Sequence, residues 1–247
     1  MELYLAGLDG GPPAHMVRVL GRFRVEVRHR PVELPMQAQR VIGYLAVTGT
    51  CERRDRLAGR LWPFSPQRRA DANLRTAIWR IGTASRALLD TSRTFIALEE
   101  HVEVDARLAC AQARTLIDPS CEQAMGNSSL ALWEDDLLPG WDEEWLVIER
   151  ERMRQLRIHG LEALSRVHIA SGRFCDAIDV ALTTVAAEPL RESAHFVLIQ
   201  AHLAEGNTSE AQREFESYRR LLQAELGLEP SSKIRDLVRH ADQPATE

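Results

Sequence analysis

Gly172 and Gly206 stand 34 residues apart, and superposing them aligns Leu164 with Leu198, His168 with His202 and Ala177 with Ala211. A glycine recurring at that interval between aliphatic stretches of helical period marks a repeated pair of helices. One such pair cannot bury its apolar face alone, so the second half of the chain is constrained to stacked helical hairpins. These share a continuous core and present a concave face that suits protein contacts better than catalysis. Pro189 falls where a unit closes, and Glu192 to Ala204 supplies the first helix of the next. About three helical pairs are expected from Asp105 to His240. The pair around Ala106 to Trp133 has the least regular pattern.

The first half follows a different rhythm. Met1 to Met16, with Gly10, Gly11, Pro12 and Pro13, reads as a disordered leader, and Met16 is an alternative start. In Val17 to Val27, VRVLGRFRVEV, apolar residues alternate with polar ones until Gly21 interrupts, and Pro31 to Leu34 adds a short extended piece. The pattern predicts a small antiparallel sheet. Gln37 to Thr48 carries helical spacing and stops at Gly49; Arg53 to Trp62 is a second helix ended by Pro63. The third helix, Arg68 to Arg86, is amphipathic. Leu74, Ile78, Ile81, Ser85 and Leu88 share one stripe, while Arg75, Thr76, Trp79, Thr83 and Arg86 point the other way. Thr94 to Leu98 and His101 to Val104 then read as a hairpin with Glu99 and Glu100 at its turn. A sheet, three helices and a closing hairpin make a winged helix. The fold class is therefore mainly α: an N-terminal winged helix-turn-helix (α+β) followed by an all-α tetratricopeptide-like helical repeat domain.

Charge divides the same way. Residues 17–104 hold 16 arginines against 9 acidic side chains, leaving 15 basic and 27 acidic residues for the rest of the chain. A basic domain attracts phosphate, whereas an acidic one is repelled by nucleic acid and faces protein. Every basic residue except Lys233 is arginine, a bias expected of a GC-rich genome, so position matters more than count. No apolar run reaches the roughly 18 to 20 residues of a membrane span, and the N-terminus lacks a signal-peptide pattern; a cytoplasmic, nucleoid-associated protein is expected. Cys51, Cys110, Cys121 and Cys175 form no CxxC pair and read as small core residues.

The runs RDRLAGRLWP, ANLRTAIWRI and FIALEEHVEVDA resemble the winged helix that opens members of the Streptomyces antibiotic regulatory protein family, itself similar to the OmpR-type DNA-binding domain. Leu137 to Arg157, Gly172 to His195 and Ala204 to Ser231 resemble the bacterial transcriptional activator domain that follows it. Together the resemblances span about Val17 to Val238. They imply a leader over 1–16, an OmpR-like domain over 17–104, a tetratricopeptide-like activator domain over 105–240 and a tail over 241–247. The chain would then be a sequence-specific activator of secondary-metabolite genes in an actinobacterium. It would bind promoter direct repeats in double-stranded DNA, as a homodimer on DNA, and recruit RNA polymerase holoenzyme including its sigma factor. Two departures stand out: Gly82 replaces an arginine or other helix former, and the wing lacks a glycine-tyrosine pair before its last strand.

Side-chain chemistry then assigns roles. Asn73, Arg75, Thr76 and Arg80 carry groups that reach base edges, arginine favouring guanine and asparagine adenine. Arg68 and Arg69 open the helix, where backbone N–H groups also meet phosphate, and so position more than specify. Arg93 suits the minor groove or adjoining backbone, whereas a wing tip at Glu99 and Glu100 suits no phosphate. Two readings of Trp79 stand: contact with sugar, phosphate or a thymine methyl, or packing beneath the hairpin. In OmpR-like domains the loop equivalent to Trp62 to Arg69 can touch the sigma factor, a contact for which Phe64 is the candidate; a plain connector is the alternative.

His168, His195 and His202 recur because packing recurs, and no ligand set for a metal accompanies them. The acidic runs Glu134 to Asp136 and Asp142 to Glu144 read as solvated helix surface, an activation contact being the alternative. No nucleophile elbow, phosphate loop or HExxH occurs, so neither an enzyme nor a cofactor is expected. The rival reading is a tetratricopeptide-type sensor or adaptor that binds a peptide or small molecule, its winged helix serving repression or protein contact.

Overall fold

The computed structural model describes residues 13–82, 85–118 and 135–241. These divide into two compact units, with breaks after Ala111 and after Arg154. The sequence boundary at Val104 is thus not where compactness changes: the front unit keeps the first turns of a helix and a return segment ending at Arg154. Within the expected leader, His15 and Met16 already belong to a strand, and Met16 is buried. The leader through Pro12, most of the irregular stretch before Trp133, and the tail beyond Ala241 lie outside the described residues.

In the front unit, β1 (His15–Arg18) and β2 (Arg24–Val27) pair antiparallel with Val17 opposite Val25. Gly21, at φ +68°, makes the turn between them. A short β3 (Arg30–Pro31) extends the sheet beyond β2. Successive strand residues face opposite ways, and both Met16 and Val17 are buried, so both faces of β1 are covered. Helix α1 (Met36–Thr48) buries Val41, Ile42 and Leu45 and ends as expected at Gly49, whose N–H reaches the Leu45 carbonyl in a left-handed cap. A short β4 (Glu52–Arg53) leads into α2 (Arg54–Leu61), and α3 (Gln67–Ile81) follows.

The remaining elements correct the expected hairpin. After α4 (Ser85–Leu88), β5 (Leu89–Thr91) pairs antiparallel with β6 (Phe95–Leu98), and β6 also pairs with β4. The wing is therefore β5–β6, and its tip lies at Ser92 to Thr94. Glu99 and Glu100 belong instead to a turn closed by Val102 N–H on the Glu99 carbonyl. That turn sends the chain to β7 (Glu103–Val104), which lies parallel to β1 in the other sheet. Helix α5 (Asp105–Ile117) begins at once. Its buried Asp105 carboxylate accepts the N–H groups of Val19, Leu20 and Ala106 at 2.8, 3.1 and 2.7 Å. Burial pushes this carboxyl above the ordinary value, and the three N–H groups pull the other way.

The return segment runs beside the β1–β2 turn. Leu138 N–H bonds Val19 O, Gly21 N–H bonds Asp136 O, both at 2.8 Å, and the Trp141 ring lies 5.4 Å from that of Phe23. Glu143, read as a solvated acid, is instead gripped by Nε and Nη2 of Arg40, and the same Nη2 bonds the Leu61 carbonyl at the end of α2. Helix α6 (Glu144–Ala170) starts here, with Trp145 edge-on to Tyr44 at 5.0 Å.

In the second unit the 34-residue period appears in backbone hydrogen bonds. After α6, Gly172 N–H bonds Ile169 O and Arg173 N–H bonds His168 O; after α8 (Glu192–Glu205), Gly206 N–H bonds Leu203 O and Asn207 N–H bonds His202 O. Both glycines have positive φ, 70° and 88°. Each is a left-handed helix stop with its carbonyls satisfied. Helices α7 (Phe174–Ala187) and α9 (Thr208–Leu226) return from these stops, burying Ala177 and Ala211 at equivalent places, and α10 (Ser232–Ala241) closes the array on Ile199, Tyr218 and Leu222. His195 stacks on Tyr218 at 4.2 Å, its ring nitrogens lying 2.6 Å from a Glu214 oxygen and 2.8 Å from the Pro189 carbonyl. Cys51 and Cys175 are exposed and Cys110 half-buried. They are not core residues, because the close-packed positions of both units are taken by alanine and branched aliphatics. Cys121 lies outside the described residues.

Candidate nucleic-acid interface

Helix α3 is held by small residues. Ala70, Leu74, Ala77 and Ile81 form its buried stripe, Ile78 being only half-buried, and the two alanines let the helix seat closely against α1 and α2. It stops at Ile81, five residues before the expected end at Arg86. Gly82 takes φ +64° and ψ −135°, with open space where a Cβ would stand. The glycine therefore terminates the helix rather than weakening its middle. Thr83 lies outside the described residues, as do the side chains of Ser85 and Arg86.

The opposite face, about 22 Å long, carries Arg68, Arg69, Arg75, Thr76, Trp79 and Arg80, all exposed. Trp79 is 79% exposed, so it does not pack beneath the hairpin. Asn73 is half-buried at the flank. The Thr76 hydroxyl donates to the Ala72 carbonyl at 2.9 Å, leaving its methyl and an oxygen lone pair outward. Asp71, the one acid in α3, accepts from Gln67 at 2.9 Å. Among the described residues, Arg68, Arg69, Arg75 and Arg80 have no acidic partner. No side chain caps the N-terminus at Pro66; the Arg69 N–H turns back to the Pro66 carbonyl at 2.8 Å, which leaves the Gln67 and Arg68 N–H groups as the open donors of the first turn among the described residues.

Arg40, Arg53 and Arg60 of the front unit are instead spent on structure. Arg40 holds Glu143 and lies over Trp62 at 5.6 Å; Arg60 donates to the Tyr44 hydroxyl at 2.8 Å. Burial, and after it Glu52, pushes the Tyr44 phenol up. Arg53 pairs with Asp55 at 2.9 Å and holds its carboxyl at about 2. The Arg40 and Arg60 contacts tie α1 to α2 and so help to fix where α3 can lie.

Arg54 was not singled out by sequence reasoning, yet it shapes the wing. Its backbone N–H bonds Thr94 O at 2.9 Å and its guanidinium bonds Ser92 O at 3.0 Å. The Ser92 hydroxyl accepts the Thr94 and Phe95 N–H groups. Between these anchors Arg93 stands exposed at the tip, without an acidic partner among the described residues. The wing tip is therefore basic, contrary to the expectation drawn from Glu99 and Glu100. Phe64, in the loop between α2 and α3, is fully exposed. The structure thus brings Arg68, Arg69, Arg75, Thr76, Trp79 and Arg80 onto one face, sets Asn73 at its edge, and places Arg93 and Phe64 on separate loops. Among the described residues no helix is long and apolar enough to cross a membrane.

Residues 104–240 match the bacterial transcriptional activator domain, more than half of the chain. The chain is 25% identical over 230 residues to regulatory protein AfsR of Streptomyces griseus, an alignment covering 85% of this chain and 24% of that protein. It is 26% identical over 217 residues to regulatory protein AfsR of Streptomyces coelicolor, covering 82% of this chain and 21% of that one. It thus spans about a quarter or less of the length of these curated relatives. The fold matches Mycobacterium tuberculosis EmbR, solved in complex with a low affinity phosphopeptide, with a TM-score of 0.77 at 18% identity over 94% of this chain and 66% of that one. The chain belongs to the bacterial transcriptional activator domain family.

Proposed function

We propose that the chain is a sequence-specific DNA-binding activator working in the cytoplasm at the nucleoid, with a DNA-binding domain over 17–104 and an activator domain over 105–240. The observation that carries this reading is the outer face of α3, where arginines without acidic partners surround a solvent-exposed tryptophan. An exposed indole gains little from water but stacks well on sugar or a thymine methyl. The free guanidiniums match guanine edges and phosphate. In this reading Arg75, Thr76, Trp79 and Arg80 enter the major groove, with Asn73 reaching it from the flank. Arg68, Arg69 and the uncapped helix start hold phosphate, and Arg93 on the wing reaches the neighbouring minor groove or backbone. Two protomers occupy promoter direct repeats, and Phe64 meets the sigma factor of RNA polymerase as the holoenzyme is recruited. The genes served are those of secondary metabolism, and no catalytic activity or cofactor is needed.

The test is selection of duplexes from a random pool, followed by gel shifts across a salt series. Specific binding whose log affinity falls with log salt at a slope of roughly −4 per protomer is expected from about four phosphate contacts. Binding without preference over random duplex would overturn the reading in favour of an adaptor that meets a peptide or small molecule through its helical repeats.

A further inference from the structure

The wing tip and the start of α3 are anchored on neighbouring residues of one helix turn. The ladder between β4 and β6 pairs Glu52 with Ile96 and Arg53 with Phe95, and it continues one residue further, where the Arg54 N–H bonds Thr94 O at 2.9 Å. From there the Arg54 guanidinium reaches Ser92 O at 3.0 Å. Arg54 thus holds the carbonyls on both sides of Arg93. The next residue, Asp55, gives its backbone carbonyl to the Gln67 carboxamide at 3.1 Å, and Gln67 is the first residue of α3. Both anchors lie in the first turn of α2, which Leu57, Ala58 and Leu61 fasten into the core.

The tip has need of such a clamp. Strand β5 has three residues and β6 four, and a hairpin of that length is marginal by itself in water. Within the tip the Ser92 hydroxyl accepts the Thr94 and Phe95 N–H groups at 3.2 and 2.9 Å, and the Ser92 N–H bonds Phe95 O at 3.0 Å. These bonds make a serine-closed turn, but they shape the tip without tying it to a helix. The β4 ladder holds the β6 side of the hairpin, and the guanidinium carries the hold across to Ser92, next to β5. No acid pairs with Arg54 among the described residues, so a direct contact of Arg54 with phosphate is the alternative to be separated.

We propose that Arg54 is a positioning residue for DNA binding: by clamping the wing tip to the turn of α2 that also holds the start of α3, it presents Arg93 to the duplex at a fixed offset from the base-reading face. The proposal rests on the DNA-binding reading above. A clamped tip arrives on DNA already ordered, so Arg93 makes its contact without the cost of immobilising a loop.

The test is a double-substitution cycle in the full chain: R54A, R93A and both together, compared with wild type by gel shift on one duplex selected by wild type, across a salt series. R93A is expected to weaken specific binding about 10-fold and to flatten the salt slope by about 1. R54A keeps the backbone bond to Thr94 and should weaken binding about 5-fold, while the double variant should bind as R93A does. R54K, whose ammonium still donates to Ser92 O, should recover most of the loss. A merely structural part for Arg54 would weaken binding by the same factor whether or not Arg93 is present, and such additive losses would overturn the proposal. A slope about 1 flatter in the double variant than in R93A would place Arg54 itself on phosphate and also overturn it, as would wild-type binding by R54A. If R93A binds as wild type does, the wing is off the DNA; the positioning role then fails and the reading of α3 stands. If wild type prefers no duplex, both fail. Should R54A not fold by circular dichroism, R54M keeps the aliphatic stem without the donors and carries the same cycle.

Discussion

Arginine plays opposite parts in α3 and in the helices from α6 onward. In the latter, Arg152, Arg154, Arg213, Arg219 and Arg239 each meet an acid three residues earlier, and Arg173 meets Asp176 three residues later. Those helices carry many arginines yet present little uncompensated charge. Helix α3 has one acid, Asp71, and that acid is taken by Gln67, so its guanidiniums remain available. Neutralisation within each helix, rather than the number of arginines, separates a surface able to hold phosphate from one that is merely solvated.

The sharpest way to break this contrast is on DNA. Arg75→Ala with Arg80→Ala is expected to weaken specific binding on the order of 100-fold or more, since each removes a base-edge contact. Arg213→Ala, which frees Glu210 on α9, should change it less than about 2-fold. Gel shifts of the two proteins on one selected duplex make the comparison, and equal losses would refute it.

Stability should sort the arginines in reverse. Arg40→Ala strands the largely buried Glu143 carboxylate and is expected to cost about 3 kcal/mol. Arg68→Ala, which touches no acid, should stay within about 0.5 kcal/mol of wild type. Urea melts of both variants provide the measurement. Gly82→Ala comes next, at about 1–3 kcal/mol, because φ +64° with ψ −135° is strained for any side chain even though space is open. A neutral or stabilising outcome would mean that α3 continues past Ile81.

The repeat unit has a small pH dependence of its own. Burial, with Arg173 adding and Asp176 opposing, holds the His168 imidazole below 6.5. Between that lowered value and 6.5 the unfolded chain binds more protons, so stability should fall as pH drops through this window and rise as it is restored. His168→Gln should flatten the pH dependence of thermal unfolding there, and an unchanged profile would count against the burial argument.

How much of this was legible before folding depends on how local the cause was. The helix stops at Gly49, Gly172 and Gly206 were readable because a positive-φ glycine acts within a few residues of its own helix. Leu74 and Ile81 were readable from helical period, but Ala70 and Ala77 were missed, because alanine signals close packing only once the neighbouring helix is in place. The wing was paired wrongly for two reasons. Leu89–Thr91 is a three-residue strand with no alternation to announce it, and β7 finds its partner in distant β1. Arg93 was a candidate in sequence, yet its place at the tip came only with that pairing. The grip of Arg40 on Glu143 joins residues 103 positions apart, and nothing in the acidic run around Glu143 distinguishes it from a solvated one.

The most direct measurement of the central claim is the sequence preference of three proteins, wild type, Arg75→Ala and Arg69→Ala, selected in parallel from one random duplex pool. A base-reading Arg75 on the outer face of α3 predicts that its loss relaxes preference at one or two positions of the repeat, while loss of Arg69 weakens all sequences about equally. An unchanged preference in Arg75→Ala, or the same effect from both substitutions, would contradict the assignment of α3 as the element that reads DNA.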